Sequence, residues 1–161
     1  MALGLSLGLA GCGTTHTSPP ITGVAHVTGC PSKAANEPSG QSVTSHREDL
    51  VSLTPTGAVV CSYSATTPDW VAKSLAAGEA KRLGTLLNQA GSNITPGSAS
   101  SCPADFGGTV VVYLWSARQT STVWIHTGGC RVATNGITSR EGAYAGSLAA
   151  YLHRTVKSPA A

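Results

Sequence analysis

Four cysteines, Cys30, Cys61, Cys102 and Cys130, constrain this chain more than any other residues it carries. None stands in a Cys-x-x-Cys pair, and no nearby histidine completes the spacing of a zinc site, so metal binding is not their reading. In an exported chain an even set forms disulfides, and four cysteines allow three connectivities. Their placement on the expected elements, set out below, selects Cys30–Cys61 and Cys102–Cys130. Each bridge would close a loop of about 30 residues, and so stabilise the fold by roughly 3–4 kcal/mol in the chain-entropy account.

The N-terminus supplies the export that such pairing needs. Residues 1–12, Met-Ala-Leu-Gly-Leu-Ser-Leu-Gly-Leu-Ala-Gly-Cys, end an apolar run on small residues and a cysteine, in the manner of a bacterial lipobox. Residues 1–11 then form a lipoprotein-type signal peptide, and Cys12 is the lipidated residue. No Lys or Arg precedes the apolar run, as expected if translation starts further upstream than Met1. A plain secretory peptide or a buried N-terminal helix are the alternatives. The run falls short of the roughly 20 apolar residues that span a bilayer. Two acyl chains on Cys12 would hold the protein to a membrane where one would bind only marginally. The expected location is the outer face of a bacterial cell membrane, with the membrane engaged through the lipid, or else a secreted protein.

Charged residues make up 11% of the chain, against roughly 25% in an average globular protein. Glycine, serine, threonine and alanine replace them, as in many exported bacterial proteins. The formal net charge is +3, and its lysines and arginines are scattered singly. A nucleic-acid binder concentrates them on one face, so that class is excluded. Residues 12–23 are a flexible tether of Thr, Ser, Pro and Gly. Residues 24–157 form a single domain, and 158–161 are a tail. No motif for a cofactor is present.

Along that domain, residues 31–46 are poor in apolar groups and read as a long surface loop. Leu50–Leu53 and Gly57–Tyr63 are apolar runs on either side of Thr54-Pro55-Thr56, and are expected as two strands or one bent strand. From Thr67-Pro68-Asp69 the period changes. Leu75, Ala76, Ala80, Leu83, Leu86, Leu87 and Ala90 recur at three- and four-residue steps, which predicts an amphipathic helix closed by Gly91. Thr109–Trp115 and Ser121–Thr127 are strands joined as a hairpin turning about residues 118–119. That hairpin brings residues 107–108 near 128–130, so Cys102 can turn back to Cys130. Asn135-Gly136 marks a tight turn. Thr138-Ser-Arg-Glu141 has the form of a capping box, opening a helix with Tyr144, Leu148, Tyr151 and Leu152 on one face. The class is α+β: a small antiparallel sheet of about four strands, two helices on one face, and two disulfides.

Three groups of residues, Val60-Cys61-Ser-Tyr63, Cys102-Pro-Ala-Asp105 and Gly129-Cys130 followed by Asn135-Gly136, together resemble an uncharacterised family of exported actinobacterial proteins. The likeness covers roughly residues 48–155. It implies export and disulfides, and carries no catalytic residue.

The aromatic residues of the hairpin are the candidate binding residues. Val111, Tyr113 and Trp115 alternate onto one face and Val110, Val112 and Leu114 onto the other, with Trp124 and His126 expected to join the second set. Whichever face of the antiparallel sheet is left uncovered, its share of the candidates Tyr113, Trp115, Trp124 and His126 would suit a glycan, a peptide or an envelope protein. The alternative is that both faces are covered and the aromatics are structural. His126 and Asp105 with a serine such as Ser101 would make a hydrolase triad, though no Gly-x-Ser-x-Gly elbow is present and His126 more simply borders the core. A disulfide-braced loop at 91–104 would suit a protease-inhibitor-like protein. His16, His26 and His46 lack acidic or cysteine partners at ligand spacing, so no metal site is assigned. The leading expectation is a non-catalytic binding module of the cell envelope.

Overall fold

The structure, a computed structural model, describes residues 27–37, 49–66, 70–93, 102 and 107–156. The signal peptide, Cys12, the tether, the tail, Ser101 and Asp105 lie outside these residues, as do His16, His26 and His46.

Among the described residues, seven strand segments make one antiparallel sheet. They are β1 (Gly57–Tyr63), β2 (Trp70–Ala76), β3 (Ser92–Asn93), β4 (Thr109–Trp115), β5 (Thr120–His126), β6 (Ala133–Thr134) and β7 (Ser139–Glu141). Their order across the sheet is β2-β1-β4-β5-β6-β7-β3. The described residues also form two helices, α1 (Ala77–Gln89) and α2 (Gly146–Thr155). The α+β class stands, but the strands number seven rather than about four. Three of the seven are only two or three residues long, too short to leave a periodic signal.

Three expected elements take other forms. Residues 70–76, read as the start of a helix, form β2, the edge strand paired along its whole length with β1. Leu75 serves both readings, since it begins the helical spacing and also lies opposite Ala58 in the ladder. The helix itself ends as expected. Gly91 at φ 66° takes the left-handed conformation after the cap residue Ala90, and any Cβ there would sit 2.4 Å from the Glu141 carbonyl oxygen.

Leu50–Leu53 is not a strand. Leu50, Val51 and Leu53 are buried beneath α1, and the Asn88 carboxamide does what a neighbouring strand would do. Its Oδ1 accepts the Val51 N–H at 2.9 Å while its Nδ2 donates to the Val51 carbonyl at 2.9 Å. Arg140 in turn donates to the Asn88 carbonyl at 2.6 Å, near the end of α1 where backbone acceptors lack helical partners.

Nor is Thr138–Glu141 a helix cap. Asn135 Oδ1 accepts the N–H groups of Ile137 and Thr138 at 2.9 and 2.7 Å, closing a turn that sends residues 139–141 back as β7. Helix α2 begins five residues later at Gly146, with no side-chain cap on Ala145.

Both helices pack on one face of the sheet. Val60, Val112 and Val123 form one cross-strand row, Ser62, Val110 and Ile125 the next. The apolar members meet Leu83 and Leu87 of α1 and Leu148, Tyr151 and Leu152 of α2 in one buried cluster. Tyr151 joins the helices, its hydroxyl donating to the Glu79 carbonyl while the Arg82 guanidinium lies 5.5 Å from its ring centre. Full burial of each leucine contributes roughly 1.5–3 kcal/mol, so this layer carries most of the hydrophobic stabilisation. The two cysteine pairs are Cys30–Cys61 and Cys102–Cys130, as the sequence led us to expect.

Candidate functional site

The opposite face of the sheet carries the aromatics, and the β4–β5 turn decides which ones. Its loop is four residues, Ser116–Gln119, so Trp115 pairs with Thr120 and odd positions on β4 oppose even positions on β5. Trp124 therefore lies opposite Val111, and His126 opposite Thr109. Directly opposed residues share a face. Trp124 and His126 thus join Val111, Tyr113 and Trp115, and not the Val110 set as expected. A hairpin loop with an even number of residues always pairs odd with even, which forbids the expected arrangement.

Strand β1 extends the pattern. One row across the face is Cys61–Val111–Trp124, the next is Tyr63–Thr109–His126, and on the other side lies Val59–Tyr113–Thr122. At the end of β1, Gly57 faces Trp115, whose indole occupies the space over the glycine; a Cβ on Gly57 would lie 2.5 Å from Cζ2. The aromatic ring covers the backbone that glycine leaves bare.

This face is not open. Residues 30–37, part of the segment expected as a surface loop, cross it transversely from β1 to β5 as a strap. Cys30 is bonded to Cys61 in the centre of β1. The Tyr63 hydroxyl donates to the Pro31 carbonyl at 3.0 Å, and Trp124 Nε1 donates to the Ala35 carbonyl at 2.9 Å. His126 Nε2 meets a Glu37 carboxylate oxygen at 2.7 Å. Between these points Cys30, Ala34 and Ala35 pack against Val59, Cys61, Tyr63, Val111 and Trp124. Trp124 retains 8% of its surface, while Tyr113 and Trp115 are half-buried. The alternative in which both faces are covered therefore describes Trp124 best.

Burial acts on the phenols here. Tyr63 is pushed up to about 12, first by burial and then by the neighbouring Tyr113, and burial raises Tyr113 as well. The Tyr113 hydroxyl is buried and has no hydrogen-bond partner among the described residues. An unmade buried hydrogen bond costs roughly 1–3 kcal/mol. The strap thus satisfies two of the donors beneath it and leaves a third without an acceptor.

Sequence reasoning found Tyr113, Trp115, Trp124 and His126 but missed Pro31, Ala34, Ala35 and Glu37. The signal was the expected Cys30–Cys61 bond itself: a cysteine inside a central strand obliges the chain after its partner to lie on the sheet.

Elsewhere the described residues offer little chemistry. The ring of His126 meets Glu37, whereas Asp105 and Ser101 of the triad reading lie outside the described residues. Cys102, Cys130 and Glu141 bring possible ligand atoms within 4.8 Å of one another, but the two sulfurs are bonded together. On the helix side, an open cleft of about 300 Å³ lies between residues 51–55 and α1, and another of about 350 Å³ between the end of α1 and the start of α2. Lys81 is the one charged side chain lining either, so neither joins a nucleophile to a base. Among the described residues no helix is long and apolar enough to cross a membrane.

No protein-family model, curated protein or solved structure matches the chain.

Proposed function

We propose that this protein is an extracytoplasmic binding module, tethered through a lipid on Cys12 to the outer face of a bacterial membrane, and that it acts by holding a partner rather than by transforming a substrate. One observation carries the binding part of the reading. The aromatic face holds an irregular piece of chain through side-chain donors, Trp124 Nε1–H and the Tyr63 O–H, each aimed at a main-chain carbonyl. Fixed donors set into an apolar, aromatic surface are what a ligand site requires, because they confer orientation while the apolar area supplies affinity. The location is supported by the two cysteine bridges, which persist in oxidising compartments, and by the lipobox-type N-terminus.

The test is binding of envelope ligands, glycan fragments and peptides alike, by the purified domain and by its Trp124→Phe variant. Phenylalanine keeps the ring packing and removes the donor. Weaker binding by a variant that still unfolds cooperatively, at a somewhat lower melting temperature for the lost bond to Ala35, is the expected result. Equal binding by both proteins would remove the aromatic face from the account. Trp115 is the less informative position, since its ring covers Gly57 and its truncation also disturbs β1.

A further inference from the structure

We propose that residues 32–37 are an intramolecular occupant of a peptide-recognition site, and that the face beneath them takes an extended segment of a partner protein. That segment carries two adjacent small side chains and, two residues beyond the second, a carboxylate. The inference rests on the binding-module reading above and gives its ligand a chemical class.

The strap is recognised in a way any chain of that description could reproduce. It forms no strand ladder with the sheet. Instead Trp124 reads one carbonyl, that of Ala35, and His126 reads a carboxylate two residues further on. Ala34 and Ala35 supply the apolar contact with the cluster around Val111 and Trp124. These features belong to main chain, small side chains and one acid, so they specify a class of peptide rather than this segment alone.

The strap is also an imperfect and lightly held occupant. It offers no acceptor to the buried Tyr113 hydroxyl, which a better-fitting peptide would satisfy. Toward β5 it is held by the Trp124 N–H···O bond to Ala35 and by the contact between His126 and Glu37, whose side chains are 32% and 39% exposed. Such exposed pairs contribute little. Ser32, Lys33, Asn36 and Glu37 are exposed. Residues 32–37 can therefore swing aside about the Cys30–Cys61 bond with no covalent change.

The experiment uses the full domain with both disulfides intact and, as probe, the acetylated peptide Pro-Ser-Lys-Ala-Ala-Asn-Glu, titrated calorimetrically. Ala34→Glu/Ala35→Glu sets two carboxylates against the apolar face and expels the strap without altering the face itself. A site occupied in cis lowers apparent affinity by the fraction open, so the variant should bind the probe at least about tenfold more tightly than the native chain. Gln in place of the probe's Glu should weaken binding to the variant several-fold. Should the double variant fail to fold, K33G/A34G/A35G/N36S/E37S frees the strap without adding charge and is held to the same expectation. Equal affinity in native and freed chains overturns the proposal, as does absence of binding in both. Self-association of the freed chain that the probe does not compete would assign the face to a second copy, and also overturns it. Binding of glycan fragments but not the peptide would overturn the peptide class while leaving the binding-module reading in place.

Discussion

Tyr63 and Tyr113 show how single residues report the strap. Burial raises both, and also Tyr144 and Tyr151, which are the remaining tyrosines of the chain. A raised phenol favours the protonated form in the folded state. The associated stability is complete below the unfolded value of 10.0 and is lost as pH climbs from there through about 12, the value for Tyr63. Absorbance titration of the native protein should accordingly show no tyrosine ionising with a midpoint at 10, whereas in denaturant all should. A native phenol titrating at 10 would contradict the buried placement. Two further residues carry definite costs. Asn88→Ala removes both bonds to Val51 and should lower stability by about 2 kcal/mol in denaturant unfolding. Gly57→Ala pushes a methyl into the Trp115 ring and should cost roughly 1–3 kcal/mol, with the Trp115 emission shifted.

At the scale of elements, legibility followed how plainly one period stood out. The hairpin strands β4 and β5, β1 and the body of α1 were legible because a seven-residue β-rich run or a helical stripe of leucines is a periodic signal. β2 was hidden because Leu75 fits either period, and the pairing with β1 that settles it is a non-local fact. Residues 50–53 were apolar like a strand, yet their backbone meets side chains instead, Asn88 of α1 at Val51 and Asn135 at the Leu50 carbonyl. Thr138–Glu141 matched a cap sequence, but the Asn135–Gly136 turn places it in a ladder. The aromatic residues of the site were visible; the strap was not, since Ala34, Ala35 and Glu37 carry no pattern and owe their position to the Cys30–Cys61 bond. That bond differs from its fellow in exposure. Cys61 is fully buried, whereas Cys102 is exposed. Under graded reductant with alkylation and mass mapping, Cys102 and Cys130 should be labelled first. Labelling of Cys30 and Cys61 ahead of them would contradict the packing of the strap. Replacing Cys30 and Cys61 by serine should cost about 3–4 kcal/mol and loosen the strap together.

The whole molecule divides its labour between two faces. The helices close one face of the sheet into a core rich in leucine and valine. The other face is covered by a short strap held through a disulfide and by polar contacts from Tyr63, Trp124 and His126, and there lie the aromatics and the Tyr113 hydroxyl that has no partner among the described residues. Both bridges would persist in an oxidising compartment, which is consistent with the proposal of a chain working outside the cytoplasm; the lipid tether rests on the lipobox-type N-terminus. The most direct measurement is the intact mass of the protein extracted from its host's membrane fraction, before and after reduction. The account expects a chain that starts at Cys12, carries added acyl mass, and takes up two hydrogens at each of its two disulfides on reduction. An unacylated chain that retains residues 1–11 and whose mass reduction leaves unchanged would contradict it.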